Sequence, residues 1–382
     1  MSCFQALDRP HVTPPASRDA AAAFQLARRS AGSSGPARVY SLILFGFELR
    51  MLELHMRVLA PQVEKFLVAE STLTFQFGEK PAHLSEALRR GAIAPELAQK
   101  LRVDVVSPGE LRAHCGGRLR HGDGLAVRCV ETHQRARLFR LLFRVAADGD
   151  IALLSDVDEI AKPQALTLLR RCPPFGANGT APHKIVLESV DYKFGVHCLS
   201  SSKWTGLHAY SVGFLRAERS KIEDANGAAQ WKNQIFAAPK LLDAGWHFSS
   251  FGTPRELKQK LSTWGHANLF DEAKYPGSLS LERLERCARG CFVACRSRNC
   301  YTGHGAAVPM PFVRPKPGDP APSCVAGAPN NRRLAIPASD EKLFHADLPA
   351  YLTKNRAEYA EYFAYAARSA SGVVRGPRTC CG

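Results

Sequence analysis

No apolar run in the 382-residue chain is long enough to cross a bilayer: "VYSLILFGF" and "IALLS" fall well short of the ~20 residues a span needs. The first 35 residues hold no signal-peptide h-region, so residues 1–37 are expected to be a disordered leader without a membrane anchor. Zinc-ribbon or finger spacing is missing among the cysteines, and internal repeats are missing altogether. Acidic residues are the scarcer charge, with 35 Asp and Glu against 51 Lys and Arg for a net +16. Such an excess can attract anions, but no block of five like charges gathers it into a patch, and no nucleic-acid partner is expected.

What remains is ordinary globular composition, 45% hydrophobic and 23% charged, enough for one large α/β domain or two smaller ones. Twelve cysteines, an even number, fit an oxidising lumen. Cys287, Cys291 and Cys295 in "CARGCFVACRSRNC" would form one stripe of a helix, either a soft-metal site or a small apolar seam. Asn178-Gly179-Thr180 is a glycosylation sequon and points, weakly, to the secretory pathway.

Strand and helix patterns alternate through the first half. "VYSLILFGFE" (39–48) reads as a buried strand and "LRMLELHMRVLA" (49–60) as the amphipathic helix after it. "VEKFLVAEST" (63–72), a helix over 84–100, a short strand in "RVDVVSP", a loop in "HCGGRLRHGDG", a helix over 127–146 and a strand in "GDIALLSD" (149–156) follow. That order predicts an α/β fold with a mostly parallel central sheet flanked by helices, in which ligands gather at the carboxyl ends of strands. Beyond it, "KIVLESVDYKFGVH" and "GLHAYSVGFLRA" read as antiparallel strands, "PRELKQKLSTWGHAN" as a helix opened by Thr253-Pro254, and "LPAYLTKNRAEYAEYFAYAARS" as a closing helix. The expected organisation is a catalytic domain over 38–300, a Pro/Gly-rich loop over 301–339, a helical segment over 340–368 packed on that domain, and a flexible tail over 369–382.

Two strand ends carry acid: Glu70-Ser71, and Asp156 to Glu159 in "IALLSDVDEI". On an extended backbone Asp156 and Asp158 point the same way, and adjacent carboxylates repel unless a cation lies between them. Hard oxygen ligands suit Mn2+ or Mg2+, which would neutralise a departing phosphate. The same residues also fit a capped turn before a helix, or a phosphatase of the haloacid dehalogenase type with Asp156 as nucleophile. In that second case Ile160 stands where Thr or Val is expected. A non-catalytic glycan-binding module is a third class.

Four ordered blocks resemble one family. "FGFELRMLELHMRVLAPQVEKFLVAESTLTFQFGEKPAHL" resembles the opening of glycosyltransferase family 17, the bisecting-GlcNAc transferases, through Glu48, Leu49, Leu52, Glu53, Glu70, Ser71, Thr74, Phe75, Gly78, Lys80 and Pro81. "DIALLSDVDEIAKPQALTLL" resembles its acidic motif, with Ala161 in place of the usual proline. "DAGWHFSSFGTPRELKQKLSTWGHAN" resembles its G-W-H-x-S block, and "LPAYLTKNRAEYAEYF" its last helix. The Gly/Arg/His-rich stretch at 112–125 resembles an insertion.

The resemblance implies a GT-A-like nucleotide-sugar fold. It implies transfer of N-acetylglucosamine from UDP-GlcNAc, with inversion, to a mannose of a glycoprotein N-glycan core in the Golgi or secretory lumen. It implies Asp156 and Asp158 as ligands of Mn2+ (or Mg2+), with His247 of "GWHFSS" as third ligand or pyrophosphate contact. Glu159 would orient the donor sugar or brace the loop. Asp191 and Glu188 are the candidate general bases. Glu70 and Ser71 would contact the uridine-ribose part of the donor, and Arg135 and Lys260 its phosphates.

Overall fold

A computed structural model describes residues 36–116, 123–171, 183–223, 232, 238, 240–265, 267, 276–289, 295–296, 299–300, 311–312 and 348–364. In chain order these give β1 (Val39–Phe45), α1 (Leu49–Leu59), β2 (Lys65–Ser71), α2 (His83–Arg89), α3 (Pro95–Ala98), β3 (Leu101–Val106), α4 (Pro108–Cys115), α5 (Gly124–Val145), β4 (Ile151–Asp156), β5 (Glu159–Ala161) and α6 (Pro163–Arg171). Then come β6 (Lys184–Lys193), β7 (Leu199–Trp204), β8 (His208–Ser211), α7 (Val212–Ala217), α8 (Arg219–Glu223), β9 (Lys240–Ser249), α9 (Pro254–Thr263), α10 (Leu281–Arg289), three two-residue strands, α11 (Ala350–Lys354) and α12 (Ala360–Phe363). The chain divides into two compact units. Residues up to Ser189 with Trp204–Trp246 form the first; Val190–Lys203 and everything from His247 form the second.

The first unit is built on a mixed sheet in the order β6-β8-β4-β1-β2-β3. From β4 to β3 the strands are parallel, as the alternation of strand and helix requires. Beyond β4 the pairing turns antiparallel through β8 and β6, in keeping with the antiparallel reading of that region. β1 is buried along its whole length and β4 along all but its last residue, which explains their unbroken apolar composition.

Successive residues of β1 face opposite ways. Tyr40, Leu42 and Leu44 pack with Leu138, Phe139 and Leu142 of α5, and with Val212 and Leu215 of α7. Ser41 turns to the other face and meets His55 of α1. Fully burying a leucine of this kind contributes about 1.5–3 kcal/mol.

Register sets the site. Phe45 is opposite Glu70 and Leu44 opposite Asp156, so both acidic strand ends reach the same edge of the sheet. The helix expected over 84–100 is two short ones, because the chain takes up a left-handed conformation at Gly91 (φ 68°) between them. The strand expected through "GLHAYSVGFLRA" stops at Ser211, whose hydroxyl accepts from the Phe214 N–H and opens α7.

α4 and α5 are tied by a Cys115–Cys129 disulfide spanning a Cα–Cα distance of 5.9 Å, one pair of the even cysteine count. With a sequence separation of 14 between the two cysteines, loop-closure entropy gives it up to about 3 kcal/mol. A Cys115→Ser/Cys129→Ser variant is expected to lose about 2–3 kcal/mol in urea unfolding, and dithiothreitol should lower the parent protein to the same level without affecting the variant further.

The second unit contains a cluster of Phe194, Leu257, Leu261, Leu279, Leu284 and Ala288, with Leu257 and Leu261 from α9, Leu284 and Ala288 from α10, and Leu279 from the turn before it. Thr253 and Glu256 form a capping box at the start of α9, as the Thr253-Pro254 signal requires. The closing helix is broken into α11 and α12 by the turn after Lys354. The cysteine stripe does not form: α10 ends at Arg289, and Cys295 lies in a two-residue strand opposite Cys300. Cys291, the sequon at 178–180, residues 1–35 of the leader, nearly all of 301–339 and the tail lie outside the described residues.

Candidate functional site

β4 ends at Asp156, the chain turns at Val157 and Asp158, and β5 begins at Glu159. The two aspartates therefore stand on a tight turn and not on the extended strand expected for them. Under the turn, the buried His55 bonds the Val157 carbonyl oxygen through Nδ1 at 3.0 Å, while its Nε2 lies 3.4 Å from the Ser41 hydroxyl. Burial pushes the His55 imidazole down to about 4, so near neutrality it is uncharged and Nδ1 carries the donated proton.

Asp156 meets two cations. Arg135 Nη2 donates to its Oδ1 at 2.9 Å, and the Lys232 ammonium pairs with its Oδ2. Although burial pushes the Asp156 carboxyl upward, Lys232 and then Arg135 outweigh it and hold the group well below the usual carboxylate range. Glu159 is fully buried with both oxygens in use. Oε1 accepts from Trp204 Nε1 at 2.7 Å, and Oε2 accepts at 2.7 Å from both the Asp156 backbone N–H and Lys232 Nζ. Arg135 is itself buried and donates through Nε to Glu131 at 2.9 Å, while its Nη1 finds no hydrogen-bond partner among the described residues. Three carboxylates thus face two cations, a local balance of one negative charge.

Two glycines permit this packing. A Cβ on Gly206 would lie 2.5 Å from Trp204 Nε1 and 2.6 Å from Glu159 Oε1, so a side chain there would push the indole off the carboxylate. A Cβ on Gly245 would lie 2.5 Å from Ser189 Oγ and 3.0 Å from the Ile160 carbonyl oxygen, where β5 pairs with β9.

The other expected site residues are placed as follows. Glu159 is enclosed in the turn, bonded to the Asp156 N–H, Lys232 and Trp204. Glu70, also fully buried, accepts from the backbone N–H groups of Leu84 and Ser85 at 2.7 and 3.0 Å and from the Ser85 hydroxyl at 2.9 Å. It holds the start of α2. Ser71 accepts from the Leu73 N–H at 2.9 Å. Arg135 is engaged by Glu131 and Asp156. No three His, Cys, Asp or Glu side chains converge in a metal-holding group among the described residues. The side chains around Asp156 do not fit a divalent ion, because each of its oxygens already carries a cationic donor.

In the second unit the structure brings together Asp191 and His247. His247 Nδ1 lies 2.8 Å and Lys193 Nζ 3.0 Å from Asp191 Oδ1. Burial pushes the Asp191 carboxyl up, but the Lys193 charge and the His247 hydrogen bond prevail and hold it below its ordinary value. A carboxylate so stabilised is a weak base; its chemistry is to fix the imidazole's orientation. Glu188 is half-buried on β6 and makes no ion pair among the described residues, and Lys260 is half-buried on α9.

Lys232, Trp204, His55 and Lys193 had no part in the sequence reading. Lys232 is 76 positions from Asp156 with no motif to connect them, whereas His55 leaves a trace: a polar residue among Met51, Leu52, Leu54, Met56, Val58 and Leu59 on the buried face of α1.

A family model for glycosyltransferase family 17 matches residues 25–287, a stretch that contains the acidic turn, Lys232, Asp191 and His247. Among curated proteins nothing matches. Of the solved structures, mouse xyloside xylosyltransferase 1 in its apo form is similar at 11% identity over 54% of this chain and 78% of its own, with a TM-score of 0.23, too low to carry any argument.

Proposed function

This chain belongs to glycosyltransferase family 17, and we propose that it transfers N-acetylglucosamine from UDP-GlcNAc to a mannose of a glycoprotein N-glycan core, in β-1,4 linkage with inversion. The observation that carries this reading is the family match, which spans more than two thirds of the chain and displaces the phosphatase and binding-module alternatives. The parallel strands β4-β1-β2-β3, with their acidic ends at one edge, support a GT-A-like reading of the first unit.

In the proposed reaction an acceptor hydroxyl oxygen bonds to C1 of the donor sugar. The C1–O bond to UDP breaks, UDP leaves with the electron pair, and a base takes the hydroxyl proton. Asp158, on the turn braced by Glu159 and His55, is assigned to the donor side. The Cys115–Cys129 disulfide supports a secretory-lumen location, and no helix among the described residues is long and apolar enough to cross a membrane.

A panel of nucleotide sugars, assayed with Mn2+ present and again with a chelator, tests the reading. UDP release is expected from UDP-GlcNAc above the other donors, with a β-configured product by NMR. Asp158→Asn should lower kcat by about 10²-fold or more. Absence of turnover with every UDP-sugar would overturn the proposal.

A further inference from the structure

We propose that Lys232 is the built-in cation of the acidic turn, a positioning residue whose ammonium bridges Asp156 and Glu159 and takes the place on Asp156 that a divalent ion would otherwise have. The inference deepens the transferase reading, on which it rests in treating the turn as part of the donor site. Lys232 is 5% exposed and pairs with one oxygen of each carboxylate. Its two partners are already joined by the Asp156 N–H to Glu159 Oε2 bond, so one ammonium closes a ring of contacts across the turn. The remaining oxygens are also in use: Asp156 Oδ1 by Arg135, and Glu159 Oε1 by Trp204.

A divalent ion ligating Asp156 would have to displace a buried ammonium or a buried guanidinium, leaving that group uncompensated. Breaking a buried pair in this way is strongly unfavourable. A lysine in this position also differs from an ion in being covalently tethered, so the turn keeps its shape whatever the concentration of free metal. The division of labour follows: Asp156 and Glu159 belong to the framework that sets the turn on which Asp158 stands.

Calorimetric titration of the full chain with Mn2+ alone, without sugar nucleotide, tests this independently of turnover. The parent protein, Lys232→Arg and Asp156→Asn are expected to give the same isotherm, with affinity changed less than twofold. Lys232→Met, which frees two carboxylates, should gain a Mn2+ site that the parent lacks and that Lys232→Met/Asp156→Asn loses. A parent protein whose Mn2+ binding falls tenfold or more in Asp156→Asn would overturn the proposal, as would a folded Lys232→Met that gains no site. If Lys232→Met does not fold, as judged by its melting curve, the comparison of the parent with Asp156→Asn decides alone. Because no step needs turnover, failure here leaves the transferase assignment standing, and failure of the UDP-release assay leaves this result readable.

Discussion

Acidifying the protein from pH 7 to pH 5 should cost the first unit about 4 kcal/mol of unfolding free energy and the second about 2 kcal/mol. The cause is three imidazoles. Burial pushes His55 and His197 down to about 4, and burial with the nearby charges of Lys184 and Lys232 pushes His208 down to about 3. The unfolded chain takes up these protons near 6.5 and the native protein only far below that, so between the two values the unfolded state binds more protons. Stability is therefore complete above about pH 7 and falls as pH drops toward 4. Each imidazole contributes about 2 kcal/mol of loss by pH 5 at ~1.4 kcal/mol per pKa unit.

The carboxylates act in a separate window. Asp156 and Asp191 are depressed, so their contribution is present above about 4 and disappears only below it. Urea midpoints at pH 7, 6 and 5 measure the effect, and His208→Gln should flatten the slope of the first unit by about half. A midpoint that stays level down to pH 5 would mean that these rings accept protons in the folded protein.

Arg135→Met is the substitution expected to do most damage through a single side chain. Its guanidinium is 2% exposed and spans Glu131 and Asp156, and its removal leaves the Asp156 carboxylate with Lys232 alone. Because the carboxylates left behind are 40% and 26% exposed, the loss is about 2–3 kcal/mol, which for a unit of this size lowers the melting temperature by on the order of 5–10 °C. Arg135→Lys should recover only part of the loss, because an ammonium cannot serve two carboxylates in the fork geometry of a guanidinium. Arg140, on the same helix but 39% exposed, provides the contrast. Its replacement by Met is expected to change stability by less than about 0.5 kcal/mol. Equal melting shifts for the two variants would remove Arg135 from the account given of the turn.

Much of the first unit was legible from periodicity. β1, β2, β4 and α5 carry continuous apolar runs or helical spacing over their whole length, and each forms within two or three residues of its expected ends. Errors came where one residue changes the backbone: Gly91 ends a helix, and Ser211 turns a strand into one. The site was legible only as a place. A carboxylate at a strand end signals chemistry, but Glu70 and Asp156 look alike in sequence and differ in what reaches them through space: a helix N-terminus for one, two cations for the other. Lys232, Trp204 and Arg135 come from three distant segments, and their convergence depends on tertiary packing that no local pattern encodes.

α5 is anchored sideways as well as by its apolar face. Along it His133 meets Glu110 at 2.9 Å, Arg135 meets Asp156 at 2.9 Å, and Arg137 grips both oxygens of Asp104 at 2.6 Å. Sliding this helix by one residue, about 1.5 Å along its axis, would unseat all three together. The Cys115–Cys129 bridge adds a covalent tie near the start of the same helix, so residues 116–128 lie inside a closed ring and a change of length there is taken up between two fixed ends. Length variants at 117–122 should therefore leave the acidic turn unchanged while the bridge is intact.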